Sequence, residues 1–172
     1  MAIESSRDPA AYVEFEIEGW DTHTPAYDRH WGPLTRQSMG PLLDAAGVGT
    51  GSRVLDVCCG PGWLVGEAIS RGAIAVGIDL SSVAVDLASK TVPNGEFLVE
   101  DAQSLPFDDG SFDAVVCAYG IIHVAEPVVA LAEMYRILRP GGQVAFSAWQ
   151  APNPDNGYGA VFGALQAHGD LD

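Results

Sequence analysis

The chain has 172 residues, 48% of them apolar, which is enough for one domain with a real core and too apolar for a disordered chain. Acids outnumber bases 23 to 8, with Lys90 the sole lysine, for a formal net charge of −15. Such a surface repels phosphate backbones and anionic lipid, and no apolar run approaches the roughly 20 residues of a membrane span; nucleic acid and membrane are therefore not expected as partners.

The opening MAIESSRDPA has neither a basic stretch nor an apolar one, so no secretion signal is read and a cytoplasmic protein is expected. Residues 1–51 form a first, mixed segment, aromatic and acidic at YVEFEIEGW and followed by PAYDRHWGPLTRQSM and PLLDAAGVG. Helical pieces are expected at 34–39 and 42–46, with a break or kink at Gly40-Pro41.

From Arg53 the pattern turns regular, and residues 52–150 read as the core. RVLDV is a short apolar run, and WLVGEAISR after two glycines is helical in length and composition. AIAVGI is a continuous apolar run, as expected for a strand buried on both faces. SSVAVDLASK follows as a helix, with Ser81 or Ser82 as N-cap. EFLVE is a third strand, and FDAVVCAY a fourth after the turn signal Asp108-Asp109-Gly110. The next helix carries Pro127 in its first turn and an apolar stripe of Leu131, Met134, Tyr135 and Leu138. RPGG stops it, and QVAFSAW is a fifth strand. Strands alternating with helices predict a doubly wound α/β domain with a mostly parallel sheet, in which ligands sit beyond the carboxyl ends of the strands.

Three acids gather at those ends. Asp56 lies inside the first strand, Asp79 ends the second and Asp101 follows the third, around a turn containing Gly60 and Gly62. The glycines suit a close approach of backbone to a ligand. Asp79 stands where a ribose-binding acid is expected, and Asp101 is placed to accept from an exocyclic amine. The set suits a ligand with positive charge at one end, a ribose in the middle and an adenine at the other. GPGWLVG also matches a spacing found in some nicotinamide-binding turns, but three acids without a nearby lysine suit a pyrophosphate poorly. No tyrosine lies four residues before Lys90, as the Tyr-x-x-x-Lys of short-chain reductases would require. Cys58, Cys59 and Cys117 are odd in number and lack C-x-x-C or histidine spacing, so they read as small reduced thiols and no metal is expected.

The stretches VLDVCCGPG, AVGIDLS, EDAQSLPFDDGSFDAVVCAYGIIHV and LRPGGQVAFSAW resemble, in order, the motifs of class I S-adenosylmethionine-dependent methyltransferases. The similarity is to the small-molecule branch that includes the ubiquinone and menaquinone C-methyltransferases. The resemblance implies a Rossmann-like methyltransferase fold and S-adenosyl-L-methionine as cofactor, with methyl transfer to a small-molecule acceptor by in-line displacement. It implies that Gly60 and Gly62 pass beside the methionine part, with Asp56 near its amino end, and that Cys58 stands where the family usually has glycine. Asp79 with Leu80 would hold the ribose, Asp101, Ala102 and Gln103 the adenine, and Ala118 the cofactor floor. AYDRHW resembles the family's lid helix, making Tyr27 a cofactor contact.

His123, just past the fourth strand, is the candidate general base, with packing as its other role. Trp20, Tyr27 and Trp31, with His23 and His30, are candidates for a lid whose faces attract a sulfonium; Trp63 reads as packing. The Pro-Pro-Tyr/Phe motif of amino-directed nucleic-acid methyltransferases is replaced by CAYGIIHV. In the family the sheet continues with a helix and an antiparallel hairpin, for which residues 151–172 are too short. A fragment lacking the C-terminal β-hairpin is expected, or a chain whose open fifth-strand edge is covered by a partner, such as a second copy in a homodimer. A cofactor-binding module without catalysis is the second function considered, and a nicotinamide-dependent oxidoreductase the third.

Overall fold

The structure is a computed structural model and describes residues 8–151 with the isolated positions 159, 163, 164 and 167. The expected C-terminal segment therefore lies almost wholly outside the described residues. Helix α1 (Pro9–His30) is followed by α2 (Gly32–Thr35), a 3₁₀ turn (Arg36–Ser38) and α3 (Met39–Ala45). Then come β1 (Arg53–Val57), α4 (Trp63–Ser70), β2 (Ile74–Asp79), α5 (Ser82–Thr91) and β3 (Glu96–Val99). β4 (Phe112–Ala118), a 3₁₀ turn (Ile121–His123), α6 (Pro127–Arg136) and β5 (Leu138–Ser147) complete the order.

The five strands form one parallel sheet in the order β3-β2-β1-β4-β5, so the expected α/β doubly wound architecture is present. Strand residues alternate between two buried layers, as the two-residue pleat requires. Leu55, Val57, Val115 and Cys117 join Phe112, Met134 and Ile137 on one face. Val54, Ala114 and Val116 join Leu43, Leu64, Val65 and Ala68 on the other. Both faces being covered is why β2 reads as a nearly continuous apolar run and why β1 and β4 are apolar between their first residues and tips except at Asp56 and Asp113. Ser81 caps α5, its hydroxyl accepting from the Ala84 N–H at 3.0 Å.

Four expectations need correction. α1, 22 residues long, replaces the loosely read first segment. Gly40 and Pro41 fall inside α3 rather than breaking it; a proline in the first turn removes an N–H that has no helical partner anyway. Tyr135 is 79% exposed, because α6 buries Ala130 and Met134 and turns Tyr135 outward. RPGG lies within β5 as a bulge, where Phe112 pairs with Leu138 but Ala114 already with Gln143.

Candidate functional site at the carboxyl end of the sheet

A cleft opens between the strand tips and α1, with about 1170 Å³ of space that includes the open solvent at its mouth. The chain reaches its floor through two strained residues, Cys58 (φ 58°) just after β1 and Tyr119 (φ 64°) just after β4. Left-handed backbone at non-glycine residues costs on the order of 1–3 kcal/mol each and concentrates at functional sites. Gly120 fits against this floor for want of a side chain: a Cβ there would fall onto that of Cys58 and 3.2 Å from the Cys117 sulfur. The thiols themselves are quiet. A hydrogen bond with Cys117 and burial push Cys58 well above the ordinary thiol value, and burial does the same to Cys59. All three cysteines are free.

Gly60 (φ +50°) is the open part of the turn, where an added Cβ would meet nothing within 4 Å. Its N–H donates to Asp79 Oδ2 at 2.9 Å, and the Ser81 N–H donates to Oδ1 at 3.0 Å. Each oxygen thus has one backbone donor and a lone pair left for a ligand. Burial raises the Asp79 pKa, opposed by the Ser81, Gly60 and Leu80 backbone groups.

Asp56, on β1 opposite Gly77 and Val116, is 2% exposed, and neither of its carboxylate oxygens has a partner. Burial pushes this carboxyl well above its ordinary value, with Cys117 and Asp79 adding to the rise. An orphaned carboxylate facing a cleft is satisfied by a ligand that brings an ammonium or other N–H and O–H donors.

Beyond β3, Asp101 accepts the Gln103 N–H at 2.8 Å, and the Gln103 side-chain amide reaches both its oxygens at 3.1 Å. Gln103 Oε1 in turn accepts the Glu126 N–H at 2.9 Å, so the loop is fixed at both ends. Helix α1 forms the facing wall, anchored where Asp21 accepts the Ser81 hydroxyl (2.6 Å) and Asp28 the Trp63 indole N–H (2.8 Å). Glu16 Oε2 accepts the Trp20 indole N–H at 3.0 Å and lies 3.1 Å from His123 Nδ1. The Trp20 ring stands edge-on to both His123 and Tyr27, at 5.0 and 5.3 Å.

Of the candidate residues, Tyr27, Asp56, Cys58, Gly60, Asp79, Leu80, Asp101, Ala102, Gln103, Ala118 and His123 all line this cleft. Gly62 does not: at φ +81° it caps α4, and a Cβ would press on Phe97 (2.8 Å) and Ala88 (2.9 Å). Trp31, 44% exposed, packs edge-on to Trp149, and His23 and His30 point to solvent, so only Trp20 and Tyr27 of the expected lid face the cleft. Trp63 packs beneath the Arg36 guanidinium, 3.5 Å from its ring centre. Glu16, Thr24 and Thr35 also line the cleft and escaped the sequence; the only trace they left was the spacing of Glu16, Trp20 and Tyr27 along one face of an unrecognised helix. Among the described residues no three His, Cys, Asp or Glu side chains gather as a metal site, and no helix is long and apolar enough to cross a membrane.

A parallel sheet ordered 3-2-1-4-5 with an acid-lined cleft at its carboxyl ends defines a Rossmann-like α/β domain. The sequence family described as the methyltransferase domain matches residues 55–146, more than half of the chain, and the chain belongs to that family. It is 37% identical over 118 residues to the demethylmenaquinone methyltransferase of Renibacterium salmoninarum, covering 69% of this chain and 50% of that protein. The chain spans about half the length of the curated relatives it matches. Among solved structures it is similar to the YcgJ protein of Bacillus subtilis, with TM-score 0.63 and 30% identity over 69% of this chain and 53% of the other. The fold also matches geranyl diphosphate C-methyltransferase from Streptomyces coelicolor A3(2) at TM-score 0.68 and 18% identity, covering 78% of this chain and 63% of that one; that protein was solved with Mg²⁺, geranyl diphosphate and S-adenosyl-L-homocysteine.

Proposed function

We propose that this chain is the catalytic core of an S-adenosylmethionine-dependent methyltransferase acting on a small-molecule acceptor. The observation that carries this is the pair of carboxylates at the first two strands: Asp56, buried with both oxygens unpartnered, and Asp79, tied to the open Gly60 turn. Those groups fit a ligand bearing an ammonium at one end and ribose hydroxyls further on. The cofactor, when bound, supplies a sulfonium methyl group that can pass to a nucleophile.

The chain's own groups hold and exclude. Asp56 takes the amino end, the Gly60 turn with Cys58 lies along the methionine part, and Asp79 with Leu80 takes the ribose. Asp101, Ala102 and Gln103 bracket the adenine, Ala118 lines the floor and Tyr27 closes the opposite wall. Gly62 contributes by shaping the turn. Residues 1–51 act as a lid over the core at 52–150, and 151–172 continue from it. Holding both reactants in line accounts for much of the acceleration such a displacement needs, and His123 is positioned to take a proton from the acceptor.

Two further features extend this reading. The three free cysteines favour a reducing, cytoplasmic compartment. Edge strand β5, with Phe146 51% exposed, offers a pairing edge for a second copy; sedimentation as a monomer at 100 µM would remove the homodimer. A nicotinamide-dependent oxidoreductase is disfavoured because the described cleft brings acids, and neither lysine nor arginine, to a ligand that carries a pyrophosphate.

Calorimetric titration with S-adenosylhomocysteine, with NADPH as control, is the test. The wild-type chain should bind the first in the micromolar range and the second not at all. Asp79→Ala should weaken binding about 100-fold, the worth of two hydrogen bonds to a charged group at about 1.5 kcal/mol each. NADPH binding, or S-adenosylhomocysteine binding that is indifferent to Asp79, would refute the proposal. Tight cofactor binding without turnover on any acceptor would favour the non-catalytic module.

A further inference from the structure

The substrate side of the cleft carries a second arrangement that cofactor binding does not use. His123 and Glu16 are 107 residues apart in sequence, yet Nδ1 and Oε2 meet at 3.1 Å. The Glu16 side chain is only 11% exposed, whereas that of His123 is 36% exposed. The same carboxylate oxygen takes the Trp20 indole N–H, and the Trp20 ring stands edge-on to the imidazole. The histidine is thus held from two sides by one turn of α1. A carboxylate can only accept from a neutral imidazole, so Nδ1 carries the hydrogen and Nε2 is left with its lone pair.

The wall around it narrows the acceptor. The described lining contains five carboxylates, those of Glu16, Asp56, Asp79, Glu100 and Asp101, and no lysine or arginine. An acceptor that is already an anion, such as a phosphate ester or carboxylate, is repelled from such a site, and ionisation of a bound neutral O–H is opposed. A neutral acceptor needs a base to become a good nucleophile. Trp20, Tyr27, Tyr119 and Trp149 give that cleft flat aromatic walls, with Tyr119 and Trp149 stacked at 4.4 Å.

Resting on the methyltransferase function proposed above, we infer that Glu16 is a positioning residue for His123, and that the pair serves a planar aromatic acceptor that enters uncharged with an ionisable O–H. The acceptor's proton passes to Nε2 of His123 while the electron pair it leaves forms the new bond to the methyl carbon. The methyl–sulfur bond breaks with its pair remaining on sulfur, so the one positive charge that arrives on the sulfonium ends on the imidazolium, opposite Glu16.

The test uses the full chain labelled with ¹⁵N-histidine, its His123 signals assigned with His123→Asn. In the wild type the neutral His123 ring should show the Nδ1–H tautomer. Glu16→Leu should move the majority to Nε2–H and change S-adenosylhomocysteine affinity less than twofold. In the S-adenosylhomocysteine complex, 2-naphthol should shift the Nε2 resonance and bind at least tenfold more tightly than 2-naphthyl phosphate. An Nε2–H tautomer in the wild type overturns the inference without reference to the variant. Equal binding of the phosphate, or binding of neither probe, overturns the acceptor class. Failure of the folded wild type to bind S-adenosylhomocysteine overturns the function on which both rest, and is read separately by calorimetry.

Discussion

Asp56 is a carboxylate placed where folding alone would not place one. It sits on β1 between β2 and β4, with no partner for either oxygen, and burial raises its pKa well above the usual 3.8. The consequence for stability has a definite sign. Below pH 3.8 both folded and unfolded chains hold the proton. As pH rises past that value the unfolded chain releases it first, so native stability falls by about 1.4 kcal/mol per pH unit until the raised native pKa is reached. Asp79 acts in the same direction. Urea unfolding of the ligand-free wild type and Asp56→Asn should give similar stabilities near pH 4 and a variant that gains on the wild type as pH rises above 4, yet one that binds S-adenosylhomocysteine at least tenfold more weakly. A constant difference across that range would mean that folding does not raise the Asp56 pKa.

The turn between β1 and α4 shows that two glycines in one motif can meet different demands. Both have positive φ, which costs a residue with a Cβ about 1–2 kcal/mol. Around Gly62 an added methyl also meets Phe97 and Ala88, whereas around Gly60 it meets nothing within 4 Å. Gly62→Ala should therefore destabilise by about 2–5 kcal/mol in urea unfolding, since overpacking adds roughly 1–3 kcal/mol to the backbone strain. Gly60→Ala should cost no more than about 2 kcal/mol and act mainly through binding, with S-adenosylhomocysteine affinity reduced tenfold or more. Equal destabilisation by the two would contradict the packing described.

The core elements were legible because strands buried on both faces have to be apolar along their whole length, and the acids at their tips break that pattern visibly. Helix α1 was not legible. Only Thr24 on it is buried, its sequence carries Pro25 in the interior where a proline argues against a helix, and it is fixed through Asp21, Asp28 and Glu16 rather than through an apolar stripe. Side chains that meet a partner 60 or 107 residues away leave no periodicity to read. Tyr135 failed for the opposite reason: it fits a helical stripe, but the face that packs runs through Ala130, Met134 and Ile137.

At the scale of the molecule, a net charge of −15 and a cleft lined by carboxylates create a field that distinguishes the two forms of the cofactor. S-adenosylmethionine carries one more positive charge than S-adenosylhomocysteine. Raising NaCl from 0.02 to 0.5 M should weaken binding of the first several-fold and leave the second nearly unchanged, because salt screens the long-range part of the attraction. Calorimetry at both salts checks this, and parallel losses for the two ligands would show that the field plays no part.

Helix α1 ends before the family-matched span of 55–146 begins, yet it brings Glu16, Trp20, Thr24 and Tyr27 to the cleft. On the function proposed above, a stretch outside the matched span would therefore serve both reactants, Tyr27 on the cofactor side and Glu16 beside His123 on the acceptor side. Transplanted into a related core with the anchoring serine and tryptophan in place, the helix should carry recipient preference with it and alter donor affinity through Tyr27.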